Sequence, residues 1–280
     1  MAPVPKLGVI HYNWPGYDGL EAFLARASQI GYQYCELWVE DIWEEPVLTE
    51  GEPDLGRLEA DADRVVGLLG RYQMQASSVS ARNDFLQADA DAMGAQLVRY
   101  RNLCRAVPLL GTDILRTDGG WNRDGQVPRE EWDAMLVEAF LRCSAFAEEF
   151  GVRIALDNHG DATNDGDWQL SLIERVGSTR LGVNFDTMNY RWFGHDLETI
   201  NRYCQILAPH VFHTHLKDGR NPRPDYAGAA LGEGEIDLKS AVQILQAAGY
   251  DGVWTAEYEG PEAAGGVGYQ KCYEWMRENV

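Results

Sequence analysis

Apolar positions along the chain follow two alternating spacings. Short, nearly continuous apolar runs read as strands buried on both faces. They are Lys6 to Asn13, Tyr32 to Val39, Met74 to Ser80, Asp113 to Asp118, Val152 to His159, Leu181 to Asp186, Val211 to Asp218 and Val253 to Glu259. Each is followed by a stretch with apolar residues three and four apart, the mark of a helix packed on one side. In the first, Leu20, Phe23, Leu24 and Ala27 fall on one face between Gly19 and Ile30, and Gly31 stands where a C-cap is expected. Further helices are predicted at Asp54 to Tyr72, Asp89 to Leu110, Arg129 to Phe150, Trp168 to Val176, Asp196 to Leu207, Leu238 to Ala248, and at the C-terminus to Asn279. Glu40 to Pro53 and the stretch after Asp218 read as long loops.

Alternating strand–helix units imply a parallel sheet with right-handed crossovers. Eight of them in 280 residues, with no linker or low-complexity segment, predict a single-domain (β/α)8 TIM barrel over residues 1–280. No GxGxxG follows the first strand, so the open nucleotide-binding sheet lacks its fingerprint.

Composition narrows the partners. A net charge of −20 leaves no basic surplus for a nucleic-acid backbone. No apolar run is long enough to span a membrane, and the N-terminus has no signal pattern. Five scattered cysteines without a CxxC pair fit reduced thiols, so a cytoplasmic location is expected.

In such barrels the site lies where the strands end. The fifth predicted strand ends in Asp157-Asn-His159, the sixth in Asp186, the seventh in His213, His215 and Lys217, and the eighth in Glu257 and Glu259. Several carboxylates on one rim are costly unless a cation joins them. Three such carboxylates and one imidazole form a mostly oxygen set suited to a divalent ion such as Mn2+, Mg2+, Co2+ or Zn2+. His159 shares a face with Asp157 and reads as a substrate ligand or general base, or as a hydrogen-bonding support. Lys217 can meet a substrate oxygen or pair with Glu259 or Asp218, while His213, one step deeper, reads as a core residue.

The first half of the chain offers His11, Asn13, Glu36, Arg116 and Asp118. Glu36 reads as a substrate-side group or a buried ion-pair partner, and Arg116 shares a face with Asp118. Trp14, Trp38, Trp43, Trp121 and Trp192 fall near strand ends, where aromatic faces can stack on sugar rings or pack the rim. His11, Trp14, Glu36, Arg116 and Lys217 are therefore candidate substrate-binding residues. Few basic residues and the acidic Leu231-Gly-Glu-Gly-Glu segment favour a non-phosphorylated, small-molecule carbohydrate.

At Leu156-Asp-Asn-His159, Gly182-Val-Asn-Phe-Asp186, His215-Leu-Lys-Asp218, Leu231-Gly-Glu-Gly-Glu-Ile-Asp237 and Ala256-Glu-Tyr-Glu259 the chain resembles the xylose-isomerase-like barrel superfamily of sugar and sugar-phosphate isomerases and epimerases. The resemblance implies a divalent metal, manganese first, held by Asp157, Asp186, His215 and Glu257. It also implies a proton-transferring pair of carboxylates from the fifth and eighth strands. One departure stands out: Asp157 occupies a position where the family pattern has Glu, and the lost methylene shortens its reach by about 1.5 Å. The Asp-Asn-His sequence resembles an offshoot in which imidazole serves as base.

The expected activity is a metal-dependent sugar isomerase or epimerase working through an enediolate, with Glu257, His159 and Asp157 as catalytic groups. The alternative is a metal-dependent lyase or dehydratase of 3-oxo sugars, resembling inosose dehydratases or the C-glycoside deglycosidases that work with a small partner subunit. A sugar-binding barrel without catalysis, and a metal-free glycosidase using Asp157 and Glu257, are further readings. The superfamily's apurinic-site endonuclease branch needs a His-rich zinc cluster and a basic surface, both lacking here. Self-association is an open expectation.

Overall fold

The computed structural model describes residues 4–12, 14, 19–122 and 125–280. Asn13 lies outside the described residues. The strands are β1 (Lys6–Ile10), β2 (Tyr34–Trp38), β3 (Gln75–Ser80), β4 (Ile114–Thr117), β5 (Arg153–Asp157), β6 (Leu181–Asp186), β7 (Val211–Leu216), β8 (Asp218–Arg220), β9 (Ala227–Ala229) and β10 (Val253–Ala256). β1 to β7 and β10 pair in parallel and close on themselves, β1 against β10, as an eight-stranded barrel. The short β8 and β9 form a separate antiparallel hairpin directly after β7. β6 shows why the strands read as continuous apolar runs: all six of its residues are buried, between an outer helical layer and the barrel interior.

The helices are α1 (Leu20–Ile30), α2 (Glu45–Thr49), α3 (Leu55–Arg71), α4 (Ala90–Ala106), α5 (Trp132–Phe150), α6 (Gly166–Val176), α7 (Asn189–Phe193), α8 (Leu197–Leu207), α9 (Leu238–Ala247) and α10 (Val267–Asn279). Aspartates start five of them. The side chains of Asp54, Asp89, Asp165, Asp196 and Asp237 accept from first-turn backbone N–H groups of α3, α4, α6, α8 and α9. Leu58, Ala62, Val65 and Leu69 of α3 are a representative inward stripe. No helix of the described residues is long and apolar enough to cross a membrane.

The closed single-domain barrel agrees with the sequence pattern, and the differences lie at strand ends and in loops. Most strands stop earlier than their apolar runs, because the residues beyond the last ladder pair turn into the rim. The Glu40 to Pro53 loop contains α2, and the loop after β6 contains α7; both are five-residue helices, too short for periodicity to register. The stretch after Asp218 contains the β8–β9 hairpin.

The upper barrel interior is polar. His213 on β7 lies 2.8 Å from Asn184 Oδ1 on β6, 3.1 Å from Thr255 Oγ1 on β10 and 3.3 Å from Ser78 Oγ on β3. β3 and β7 are not neighbours in the sheet, so the last contact crosses the interior. Burial lowers the His213 pKa to about 3, with Glu36 opposing, which keeps the ring neutral and structural.

Candidate functional site

The register of β6 and β7 sets Asp186 beside His215, and β10 delivers Glu257 one residue past its last paired position. Ligand atoms of Asp186, His215 and Glu257 all lie within 4.8 Å of one another. His215 Nδ1 is 2.9 Å from Glu257 Oε2 and 3.8 Å from Asp186 Oδ2. Asp186 Oδ1 accepts from the N–H groups of Met188 and Asn189, at 2.7 and 2.8 Å. Its Oδ2 is buried without a hydrogen-bond partner. His215 Nδ1 has Glu257 Oε2 as its ion-pair partner, at 2.9 Å.

The other face of His215 is firmly held. Its Nε2 lies 2.8 Å from Glu36 Oε2, which also accepts from Ser78 Oγ at 2.8 Å. A carboxylate on the remote nitrogen fixes ring orientation and raises ligand basicity. Burial alone would lower the His215 pKa, but Glu36 and Glu257 outweigh it and raise it to about 10. Burial would likewise raise Glu36, yet His215 and Arg116 hold it well below the carboxylate range. Asp186 is pushed up to about 7 by burial, against the pull of Lys217.

A second cluster sits on β2, β4 and β5. Arg116 Nε donates to Glu36 Oε1 at 2.7 Å and Nη2 to Ser80 Oγ at 2.9 Å, while Nη1 pairs with Asp157 Oδ2. Asp157 Oδ1 accepts from Asn184 Nδ2 at 3.0 Å. Both oxygens of Asp157 are thus engaged by protein donors, and the residue is fully buried.

Lys217, 3% exposed, reaches Glu257 Oε1 at 3.0 Å, Glu259 Oε1 at 2.9 Å and Asn189 Oδ1 at 3.3 Å. Glu259 in turn accepts from the Tyr226 hydroxyl at 2.7 Å. Asp218, next to Lys217, faces away from the cleft. It collects the N–H groups of Gly219, Gly232, Gly234 and Ile236, pinning the acidic glycine loop beneath the hairpin. A β-carbon on Gly234 would lie 2.0 Å from Asp218 Oδ1, so only glycine fits there.

Above these clusters the cleft has two chambers. The inner one, about 210 Å3, is walled by Trp38, Arg116, Asp118, Trp121, His159 and Glu257. The outer one, about 350 Å3, is bounded by Asn189, Trp192, Lys217, Tyr226 and Glu259. Tyr12 and His159 border both. The His159 side chain is 38% exposed, with Nδ1 4.0 Å from Asp157 Oδ2 and its ring edge-on to Trp121 at 4.8 Å.

A family model described as xylose isomerase-like TIM barrel matches residues 24–279. The chain belongs to this family. Inosose dehydratase of Geobacillus thermodenitrificans is 27% identical over 168 residues, 53% of this chain and 55% of that protein. The rhizopine catabolism protein MocC of Rhizobium meliloti is 24% identical over 279 residues, covering 91% of this chain and 77% of MocC. An uncharacterized protein of Methanocaldococcus jannaschii is 28% identical over 115 residues. That match covers 40% of this chain and 38% of the archaeal protein, so two of the three matches span about half or less of the relative's length.

Among solved structures, the IolI protein with a bound zinc atom superimposes with a TM-score of 0.76 at 18% identity, covering 98% of both chains. A D-psicose 3-epimerase from Clostridium cellulolyticum H10, in complex with D-tagatose, gives 0.74 at 13% identity, covering 98% of this chain and 99% of that one. A barrel protein from Mycobacterium smegmatis in complex with magnesium gives 0.73 at 16%, covering 98% and 95%.

Within this xylose isomerase-like barrel the candidate residues sort clearly by position. Asp186, His215 and Glu257 converge, whereas Asp157 turns to Arg116 and Asn184. Glu36 is wholly buried behind His215 and borders neither chamber. His11 also sits behind the wall, 2.8 Å from Asp41 and 4.7 Å from the Trp38 ring. Trp14 stacks on Tyr269 at 3.9 Å in the core, and Trp43 donates to Leu58 O, so neither faces the cleft. Trp38, Trp121 and Trp192 do. Tyr12, Ser80, Arg82 and Tyr226 line the cleft without having been singled out by sequence. Tyr12 and Arg82 each sit two residues beyond the ends of β1 and β3, so the strand-end criterion itself would have found them.

Proposed function

We propose that the chain is a divalent-metal-dependent enzyme acting on a keto or hydroxy sugar, an isomerase or epimerase that begins by removing a proton from carbon beside a carbonyl. The observation that supports this reading is the buried, unpartnered Asp186 Oδ2, which lies with His215 and Glu257 in a group whose ligand atoms are all within 4.8 Å of one another. Leaving such an atom unsatisfied costs about 1–3 kcal/mol, and a cation among the three removes the cost. Two carboxylates and an imidazole suit Mn2+, with Mg2+, Co2+ and Zn2+ able to take the same set. When bound, such an ion supplies Lewis acidity toward a carbonyl or hydroxyl pair of the substrate.

The remaining roles fall to side chains lining the cleft. Trp38 and Trp121 border the inner chamber, where aromatic side chains can pack against a sugar ring. His159 reaches the same space with an exposed imidazole and is placed to take or return a proton. Lys217 borders the outer chamber and Arg116 the inner one, so each chamber has a positive charge suited to negative charge growing on a substrate oxygen.

A second reading has its own observation. Asp157 is held at both oxygens, so the fifth strand does not present a free carboxylate as a second proton carrier. With one accessible base, loss of a β-hydroxyl or β-alkoxyl group becomes favoured over return of the proton to the opposite face. That outcome is a lyase or dehydratase of an oxo sugar or inosose, in keeping with the name of the dehydratase relative. Elemental analysis of the purified protein, then incubation of free ketoses and inososes in D2O with and without EDTA, tests both. Solvent deuterium in a recovered ketose marks the isomerase and loss of water marks the lyase. Turnover indifferent to EDTA, in a protein without divalent metal, sinks the metal-dependent reading.

A further inference from the structure

Past Arg82 and Asp118 the inner chamber adjoins a third cavity, of about 430 Å3, lined among others by Glu40, Asn83, Gln87, Gln96 and Arg99. We propose that this cavity is a second sugar subsite, and that the substrate is a neutral glycoside whose non-reacting unit lies there while the reacting ring occupies the inner chamber. The proposal rests on the sugar reading above and narrows its substrate class.

The wall is built before any ligand arrives. Arg99 on α4, 5% exposed, donates to Glu45 on α2 and to Ala81 O at 2.6 Å. Asn102, one turn further, donates to Leu48 O at 2.8 Å and Glu50 O at 2.9 Å. These contacts clamp α2 over the cavity, so its ordering cost falls on folding instead of on binding.

Charge and lining select the occupant. Glu40, Glu45, Asp84 and Asp118 oppose two guanidiniums, and each guanidinium is already paired: Arg82 with Glu40 at 3.2 Å, Arg99 with Glu45. Four acids against two bases leave −2, which repels a phosphate or carboxylate. Leu86 is the apolar contribution; Asn83 bonds the Asp118 backbone with both ends of its amide, while Gln87 and Gln96 each bond the Asp84 backbone with one end, leaving Gln87 Oε1 as an acceptor and Gln96 Nε2 as a donor beside the carboxylates. That lining suits a hydroxyl-rich group better than a planar aromatic one. The inner chamber differs, because there Trp38 and Trp121 form part of the wall. At the neck Arg82 takes a left-handed backbone, φ 48°, and its guanidinium lies 4.9 Å from the Trp38 ring centroid. This puts a donor at the junction, where the oxygen bridging two sugar units would pass.

The test compares D-fructose with turanose, maltulose and isomaltulose, which carry a glucosyl unit at different positions of the same ketose. Binding to the Mn2+-loaded protein is followed by saturation-transfer NMR and calorimetry, for wild type and for Gln87→Trp, which fills the cavity from a loop. The expected result is that at least one disaccharide binds tenfold or more tightly than D-fructose, and that Gln87→Trp brings the ratio to about one. Gln87→Ala should lower it severalfold, a milder change that guards against misfolding of the tryptophan variant. Binding of D-fructose with no gain from any glucosyl unit would overturn the subsite and leave the sugar reading standing, as would a preference surviving Gln87→Trp. Absence of binding by every sugar would overturn both.

Discussion

The two clusters on the barrel rim solve one problem in different ways. On β2, β4 and β5, the buried carboxylates Glu36 and Asp157 share the guanidinium of Arg116, so that half supplies its own cation. On β6, β7 and past β10, Asp186, His215 and Glu257 converge with Asp186 Oδ2 unpartnered, which suits a cation supplied from outside. The halves meet at His215, whose Nε2 leans on Glu36 while Nδ1 meets Glu257. The difference teaches that a ring of strand-end carboxylates is not by itself a ligand set; what matters is which oxygens the protein has already satisfied.

The largest expected effect comes from removing the internal cation. Arg116→Met leaves the buried Asp157 without its cation and Glu36 with His215 alone, and losing one partner of a buried pair costs about 3–5 kcal/mol. Urea unfolding should show a loss of at least that size; a change below about 1 kcal/mol would mean that the guanidinium is not what makes Glu36 and Asp157 tolerable. His159→Ala should instead spare stability to within about 0.5 kcal/mol, since the ring is partly exposed. Its turnover should fall about 10²- to 10⁴-fold in the D2O assay if it moves the proton.

Metal addition probes the open half. At a hundredfold excess over its dissociation constant, Mn2+ should stabilise the wild type by about 2.7 kcal/mol, reversed by EDTA. Asp186→Ala should abolish that gain, whereas Asp157→Asn should keep metal in the folded protein. Equal loss of metal in both would erase the distinction between the clusters. The smallest effect is expected at their junction: Glu36→Gln should weaken metal binding about 10–100-fold through the orientation of His215.

Most of the fold was legible because strands buried on both faces and one-sided helices leave opposite periodicities. The site was legible in part, for the same reason: strand ends set position, so Asp186, His215 and Glu257 fell together. Side-chain partners, however, depend on neighbours that are distant in sequence. Asp157 lies 41 residues from Arg116, and Glu36 lies 179 from His215. No local pattern distinguishes a carboxylate aimed at a cleft from one aimed at an arginine. Trp14 and Trp43 were ambiguous in the same way, since an aromatic beside a strand end serves packing as readily as a ring-stacking face.

Asp218 bears on timescale. The segment Leu231-Gly-Glu-Gly-Glu-Ile236 has the composition of a supple surface loop, yet three of its amides and that of Gly219 all donate to one carboxylate. Their exchange with solvent deuterons should therefore be as slow as that of neighbouring barrel strands, and released together by Asp218→Ala. A stretch that composition alone would assign to rapid fluctuation is thus expected to keep time with the core, together with the β8–β9 hairpin to which Asp218 joins it.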